Sequence, residues 1–202
     1  MATKTPRPPD DSTDAVRAAA RDLLPSRFPR QAHAELPVHV SPALAVRHLG
    51  LDAVLDGAGL DSATLVGWRH VVRLGDEPVA LGDVDDSGGG AQVRQLNYGP
   101  YVGSVAKAAE RSVRAVEKHG GGVSLLQIPA LYVLALWHDR GDDGTVTVLD
   151  PAPAPFEPGV AYDADEFVAL LREAARAVGP DGSALPEPQD DEKEPPPRAR
   201  AR

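Results

Sequence analysis

The sequence predicts an α+β fold in which an antiparallel sheet is made of two β-hairpins and is preceded by a short helical prelude. Two apolar stretches are each divided by an acidic, glycine-containing turn, as expected of two strands that pair with each other. Each stretch is followed by a segment whose apolar residues recur every three or four positions, as in a helix that packs on a sheet. The order strand, strand, helix therefore occurs twice, with both helices expected on one face. Whether it reflects a duplication is left open.

The prelude lies between residues 41 and 55. Ser41 and Pro42 are suited to the N-cap and the first position of a helix over 43–49. A second short helix is expected over 51–55. Residues 1–37 are punctuated by proline and arginine, so they are expected to form a largely disordered arm, although the apolar spacing allows an amphipathic helix over 13–24.

The first hairpin is predicted over 64–84, with its acidic turn at 75–77. The second lies within 122–155, where β-branched and aromatic residues predict two buried strands around a turn at 138–144. A helix over 130–137 is the alternative to the first of these strands, because leucine and alanine also favour helices.

The two longer helices are predicted over 102–119 and 163–178. The first carries an apolar stripe at spacings of three and four residues. The second begins with Asp163 and Glu166 in the positions of a capping box and is stopped by the Gly-Pro pair that follows it. Both stripes are expected to face the sheet.

A single α+β domain is expected over 38–180, because a chain of 202 residues fits the usual size of one domain. The segment 181–202 is proline-rich and charged, so it is expected to be a disordered tail. The net charge is −9, and residues 49–185 hold 10 basic and 20 acidic residues. An acidic core argues against nucleic acid as a partner, because binding to phosphates depends on lysine and arginine.

Compartment and membrane contact follow from what the sequence contains. It has no cysteine, which excludes disulfides and thiolate sites and fits a reducing compartment. Its first residues lack the apolar core of a secretory signal. The apolar run over 123–137 is interrupted by Gln127 and Pro129 and is shorter than the roughly 20 residues that span a bilayer. A cytoplasmic protein without membrane contact is therefore expected.

Motifs for catalysis and metal binding are weak. Ser104 and Lys107 match the S-x-x-K pattern of serine acyl-transferring enzymes, but the accompanying S-D-N and K-T-G motifs do not occur. Ser104 also lies where a helix needs an N-cap. The six histidines show no H-x-H or H-x-x-x-H spacing that would direct two imidazoles to one metal ion. No cofactor and no metal are expected.

These observations favour a non-catalytic binding or accessory domain that acts on a protein partner. The partner surface is expected at the acidic hairpin turns, which are complementary to a basic protein surface. The candidate residues are Asp76, Glu77, Asp139, Asp142 and Asp143.

Two alternative functions stay open. One is a small hydrolase or transferase with a dispersed site, for which the candidate residues are Ser104, Lys107, His70 and Asp150. The other is a ligand-binding domain with a pocket between the sheet and the helices, near Trp68, Trp137 and Tyr132.

Overall fold

The computed structural model describes residues 7–29, 36–86, 90–141 and 144–178. In these ranges the chain forms four α-helices and one nine-stranded sheet. The helices are α1 (Ser12–Arg27), α2 (Leu51–Leu55), α3 (Tyr101–His119) and α4 (Ala164–Val178). The strands are β1 (Val38–Val40), β2 (Leu44–His48), β3 (Thr64–Leu74), β4 (Glu77–Asp86), β5 (Ala91–Asn97), β6 (Gly122–Ile128), β7 (Val133–Asp139), β8 (Thr145–Val148) and β9 (Ala161–Asp163).

The sheet is mostly antiparallel. Its strand order is β5-β4-β3-β2-β6-β7-β8-β9, and β1 pairs with β3 outside this path. The central neighbours β2 and β6 are the one parallel pair among the described strands. The predicted mixture of helices with a mainly antiparallel sheet is therefore confirmed. The prediction that two hairpins make up the sheet is wrong, because the sheet is much larger.

The helix predicted over 43–49 is replaced by strand β2. This strand is inserted between β3 and β6, where Ala45 and Val46 are buried on opposite faces of the sheet. Pairing on both sides stabilises the extended chain more than the local preference of alanine and leucine stabilises a helix. The short helix predicted over 51–55 is present as α2.

The apolar run over 123–137 forms an additional hairpin. Strands β6 and β7 pair along their whole length, and a short 3-10 helix at Pro129–Leu131 connects them. The chain over 133–139 is therefore a strand and not a helix. The predicted pairing across the acidic turn is also present, between β7 and β8.

Helices cover both faces of the sheet, which corrects the prediction that they share one face. Helix α3 packs with Val46, Val71 and Leu125, whereas α4 packs with the next residue of β6, Leu126. Neighbouring residues of a strand point to opposite faces, so an apolar strand in the centre of a sheet needs cover on both sides. Helix α2 joins α4 on its face.

Helix α1 also packs on the α4 face, over β3, β4 and β5. Its residues Val16, Ala20 and Leu24 are almost fully buried. The approach is close: a Cβ added to Gly82 would lie 2.6 Å from Val16 Cγ1, so only glycine fits there. The helix allowed over 13–24 thus forms part of the core, and the expectation of a largely disordered arm does not hold for residues 12–27. Residues 1–6, 30–35 and 179–202 lie outside the described residues.

The sheet contains a repeated connectivity. The units β2-β3-β4-β5-α3 and β6-β7-β8-β9-α4 have the same order, and each extends outward from the parallel pair β2 and β6. A two-fold rotation about an axis that lies in the sheet and runs parallel to β2 and β6 keeps the strand direction and exchanges the two faces. The helices of the two units do lie on opposite faces, as this symmetry requires. The repeat is incomplete: α1 covers the first unit on the α4 face, while on the α3 face no second helix among the described residues joins α3, which itself reaches only Leu134 and Leu136 of β7.

Candidate functional site on the α3 face

A cleft opens where the N-terminus of α3 meets the sheet. Its volume is about 450 Å³, which lies within the usual range of roughly 300–1,000 Å³ for ligand pockets. Polar side chains from β3 and β5 form its floor, and tyrosines from α3 and from the β6–β7 loop form its rim. The lining residues include Arg69, Gln95, Asn97, Tyr101, Gln127 and Tyr132.

The floor is organised by an ion pair between paired residues of β3 and β4. Arg69 donates from Nε to Asp83 Oδ1 at 2.5 Å and from Nη2 to Asp83 Oδ2 at 2.9 Å. Gln95 Nε2 and Asn97 Nδ2 also donate to Asp83 Oδ2, at 3.1 and 2.8 Å. The side chains of Arg69 and Asp83 are only 10% and 16% exposed. The carboxylate is thus held by four hydrogen bonds, which offset the cost of removing it from water.

One donor of this network is left for a ligand. Arg69 lines the cleft, and its Nη1 makes no hydrogen bond within the described residues. The charges of Arg69 and Asp83 cancel, so the floor is polar but has no net charge. Such a floor favours an uncharged group with oxygen acceptors, for example a peptide amide, over an ion.

The rim contains an unusual backbone conformation at Tyr132. This residue has φ +52° and ψ +30°, the left-handed region, and is the only described residue other than glycine with positive φ. Its N–H donates to the carbonyl oxygen of Pro129 at 3.0 Å, and its own carbonyl oxygen accepts from the Tyr101 hydroxyl at 3.1 Å. Both sides of the residue are therefore fixed, while the tyrosine side chain is largely exposed, at 73% for the residue.

Tyr101 is protonated at neutral pH, as this contact requires. Partial burial, and to a smaller extent the charge of Asp150, raises the pKa of Tyr101 above its ordinary value. The loop explains the conformation of Tyr132, because a short turn between paired residues Ile128 and Val133 needs a left-handed residue at its end. It does not explain the choice of tyrosine, since glycine or asparagine adopts this conformation at lower cost.

A second groove separates α3 from β7 and β8, with a volume of about 460 Å³. Lys107 and Arg111 line it from the helix and His138 from the sheet. His138 donates from Nε2 to the carbonyl oxygen of Gly120 at 2.8 Å. No ion pair among the described residues includes Lys107 or Arg111.

The candidate catalytic residues are only partly brought together. Ser104, Lys107 and Asp150 border the second groove, but His70 is fully buried on the opposite face of the sheet. The Ser104 hydroxyl lies 3.1 Å from the carbonyl oxygen of Tyr101 and 2.6 Å from that of Asp150, so it bonds to backbone and not to a basic side chain. Its predicted role as an N-cap is wrong, because α3 already begins at Tyr101.

His70 has a structural environment. Its Nδ1 donates to the carbonyl oxygen of Ser41 at 2.8 Å, and its Nε2 is buried without a partner among the described residues. Burial lowers the pKa of His70, and the bond to Ser41 opposes this only in part. The ring is therefore neutral at neutral pH.

Three of the acidic residues predicted to bind a partner lie at the same end of the sheet. Asp76 and Glu77 are at the β3–β4 turn and Asp139 ends β7, and the strand order makes β3 and β7 run in the same direction. Asp139 accepts a hydrogen bond from the Gly141 N–H at 3.1 Å. Asp142 and Asp143 lie outside the described residues.

This end of the sheet also carries positive charge. Desolvation, followed by the charges of Lys118, Arg140 and His138, lowers the pKa of His119. Lys118 at the end of α3 and Arg140, which follows β7, therefore both lie near His119 at this end of the sheet.

Of the aromatic residues named for a ligand pocket, Tyr132 borders the cleft, whereas Trp68 and Trp137 are buried in the sheet. No sequence motif marks Arg69 and Asp83 as site residues. The sequence could have indicated this pair, because the two residues are at nearly equal distances from the predicted turn at 75–77. In an antiparallel hairpin, residues at equal distances from the turn lie opposite each other.

No family model matches this chain, and no curated protein or solved structure is significantly similar to it. Among the residues that the structure describes, no helix has both the length and the apolar character needed to cross a bilayer. The same residues include no group of three or more histidine, cysteine, aspartate or glutamate side chains arranged to hold a metal ion.

Proposed function

We propose that this chain is a non-catalytic protein-binding domain that contacts its partner at the cleft on the α3 face. The observation that carries the proposal is Tyr132, a largely exposed tyrosine held in a left-handed conformation at the rim of the cleft. Strained residues persist where their surroundings fix them, and they concentrate at functional sites. Tyrosine is also among the residues that contribute most to protein interfaces.

The chemistry of the cleft suits an uncharged anchor of a protein partner. Tyr101 and Tyr132 offer apolar rings with polar tips, while the floor offers Arg69 Nη1 as a donor. A partner side chain inserted between the tyrosines would bury apolar surface, and its backbone carbonyl would accept from the guanidinium. Interfaces often combine such an aromatic anchor with a few hydrogen bonds.

Apolar surface elsewhere on the same face supports a protein partner over a small one. Val113 and Val116 of α3 are 52% and 37% exposed and lie beside Leu44 and Val71 in a shallow groove. A partner that extends beyond the cleft would cover these side chains, which contribute to binding through the hydrophobic effect.

We retain the acidic turns as a proposed second contact, one that steers a basic partner surface toward the domain. Its residues are Asp76, Glu77, Asp139, Asp142 and Asp143. The shared orientation of β3 and β7 supports this role, since it brings Asp76, Glu77 and Asp139 to one end of the sheet, and charges complementary to a partner increase association rates. The contact is expected to weaken as salt screens exposed charges.

A small-molecule ligand in the cleft is the second candidate function. The volume of the cleft and the free Nη1 donor of Arg69 favour it. Native mass spectrometry of the purified chain separates the two functions: a co-purifying small molecule that disappears in Arg69→Lys supports the ligand, because lysine cannot form the same two-pronged pair with Asp83.

The main test is affinity purification from the native host with wild type and Tyr132→Ala, followed by binding of the purified partner to both. We expect the partner to bind Tyr132→Ala at least about tenfold more weakly, a loss typical of an interface hot spot. Leu23→Ala is the matched control, because Leu23 is 51% exposed on α1, on the opposite face. Equal partner binding by the two variants would contradict the proposal.

A further inference from the structure

The groove between α3 and strands β7 and β8 is positively charged in an acidic protein. Lys107 and Arg111 are both exposed and are one helical turn apart, so they share a face of α3. Neither takes part in an ion pair within the described ranges. Asp150 also borders the groove, beside Ser104 at the N-terminal end of the helix.

The positive charge continues toward the C-terminus of α3. After desolvation, the charges of Lys118 and Arg140 contribute to the lowered pKa of His119, so both cations lie near the end of the helix. From Lys107 to Lys118 the helix rises about 16 Å at 1.5 Å per residue. An extended polypeptide of about five residues covers that length at roughly 3.3 Å per residue.

The groove is open because of the incomplete repeat in the fold. In the first unit, α1 covers β3, β4 and β5 with the apolar residues Val16, Ala20 and Leu24. The two-fold axis between β2 and β6 relates that position to the surface of β7 and β8 on the α3 face. That surface carries the half-buried Leu136 and His138, and among the described helices only α3 reaches it, where it packs against Leu134 and Leu136 of β7.

We propose that this groove binds a short acidic segment of a protein partner, with carboxylates on Lys107 and Arg111 and apolar side chains against Leu136. Apolar lining from Val123 and Ala108 favours a polypeptide over a bare anion. The excess of acidic residues over 49–185 would repel a long polyanion beyond the groove. The groove is separate from the cleft, so this proposal does not depend on Tyr132.

The test is fluorescence anisotropy of the full chain with a labelled peptide of glutamate and leucine, in which leucine recurs every third or fourth position. The comparison variant is Lys107→Glu with Arg111→Glu. The matched control is Arg21→Glu with Arg176→Glu, which makes the same change in net charge at exposed positions of α1 and α4 on the opposite face. A peptide with lysine in place of glutamate and a thymidine oligonucleotide complete the set.

We expect saturable binding of the glutamate peptide, weakened at least about tenfold in the groove variant and much less in the control variant. Binding that is absent, or equally weak in both variants, would overturn the proposal. Tighter binding of the oligonucleotide, lost in the groove variant, would overturn the assignment to an acidic polypeptide. If charge reversal lowers the melting temperature, the pair Lys107→Gln with Arg111→Gln is judged by the same criterion.

Discussion

The cleft and the groove lie on the same face of the sheet, yet they use their cations differently. In the cleft, Arg69 is nearly buried and its charge is neutralised by Asp83, which also binds two amides. In the groove, Lys107 and Arg111 are exposed and have no carboxylate partner among the described residues. The paired cation stabilises the floor of a site, whereas the unpaired cations are free to bind something outside the chain.

The strands explain the difference. Asp83 of β4 is directly opposite Arg69 of β3, and Gln95 of β5 is opposite Asp83, so three neighbouring strands supply the network. In the groove, the side chains that the strands direct toward α3 are Leu136 and His138 from β7 and two threonines from β8. These side chains cannot neutralise a lysine or an arginine.

The largest effect is expected at the paired cation. Asp83→Ala should lower the free energy of unfolding by about 3–5 kcal/mol, because it leaves the guanidinium of Arg69 nearly buried and unpaired. Urea denaturation monitored by tryptophan fluorescence measures the change. Glu110→Ala is the control, since Glu110 pairs with Arg73 but is 59% exposed, and it should cost about 1 kcal/mol or less.

A double substitution sharpens this prediction. Arg69→Met combined with Asp83→Leu should be considerably more stable than Asp83→Ala alone, because apolar residues of similar volume carry no desolvation cost. If Asp83→Ala and Glu110→Ala destabilise equally, the floor of the cleft is no more dependent on its ion pair than the surface is.

The next effect is a gain in stability at the rim. Tyr132→Gly should be more stable than Tyr132→Ala by about 1 kcal/mol, because only glycine adopts a left-handed conformation without steric cost. Both variants lack the tyrosine ring, so the difference isolates the backbone strain. Equal stability of the two variants would mean that Tyr132 is not strained.

The sequence contains the local elements of this fold but not the neighbours of each strand. Helix α4 was predicted from its apolar stripe and from Asp163, whose Oδ1 accepts from the Glu166 N–H at 2.7 Å. Strand β2 is not predictable in this way, because its stability depends on β3 and on β6, and β6 begins at Gly122, 74 residues after the end of β2 at His48. Contacts between distant residues override local propensity most in the centre of a sheet.

The sites were less predictable than the fold. The pair Arg69 and Asp83 follows from the register of one hairpin, but Gln95 joins it only after β5 has paired with β4. The strained conformation of Tyr132 is not predictable from the sequence, because the turn contains neither glycine nor asparagine. The approach of His138 to α3 depends on the whole strand order.

A smaller effect is expected from the pH dependence of Tyr101. Its pKa is raised in the folded chain, so the folded state retains the proton that the unfolded state loses. The stability from the protonated hydroxyl is therefore present below about pH 10, the ordinary pKa of tyrosine, and is lost as the pH rises through the folded-state value. Tyr101→Phe should cost about 0.5–1 kcal/mol at neutral pH, the net contribution of one hydrogen bond.

Denaturation of wild type and Tyr101→Phe from neutral to alkaline pH measures this effect. The difference between the two proteins should shrink as the pH rises, because the phenylalanine variant has no proton to lose at this position. A difference that is constant over the whole range would show that the Tyr101 hydroxyl does not stabilise the rim through its bond to the Tyr132 carbonyl.

The smallest effect, of opposite sign to the first, is expected at the unpaired cations. Arg111→Gln should raise the free energy of unfolding by about 0.2–0.5 kcal/mol, because like charges four residues apart on a helix repel each other. Arg73→Gln should instead lower it, since Arg73 donates to Glu110 Oε1 at 2.5 Å and to the carbonyl oxygen of Asp76 at 2.7 Å. Thermal denaturation at low salt measures both. If Arg111→Gln lowers stability as Arg73→Gln does, Arg111 has a stabilising partner within the chain, and the contrast between the cleft and the groove fails.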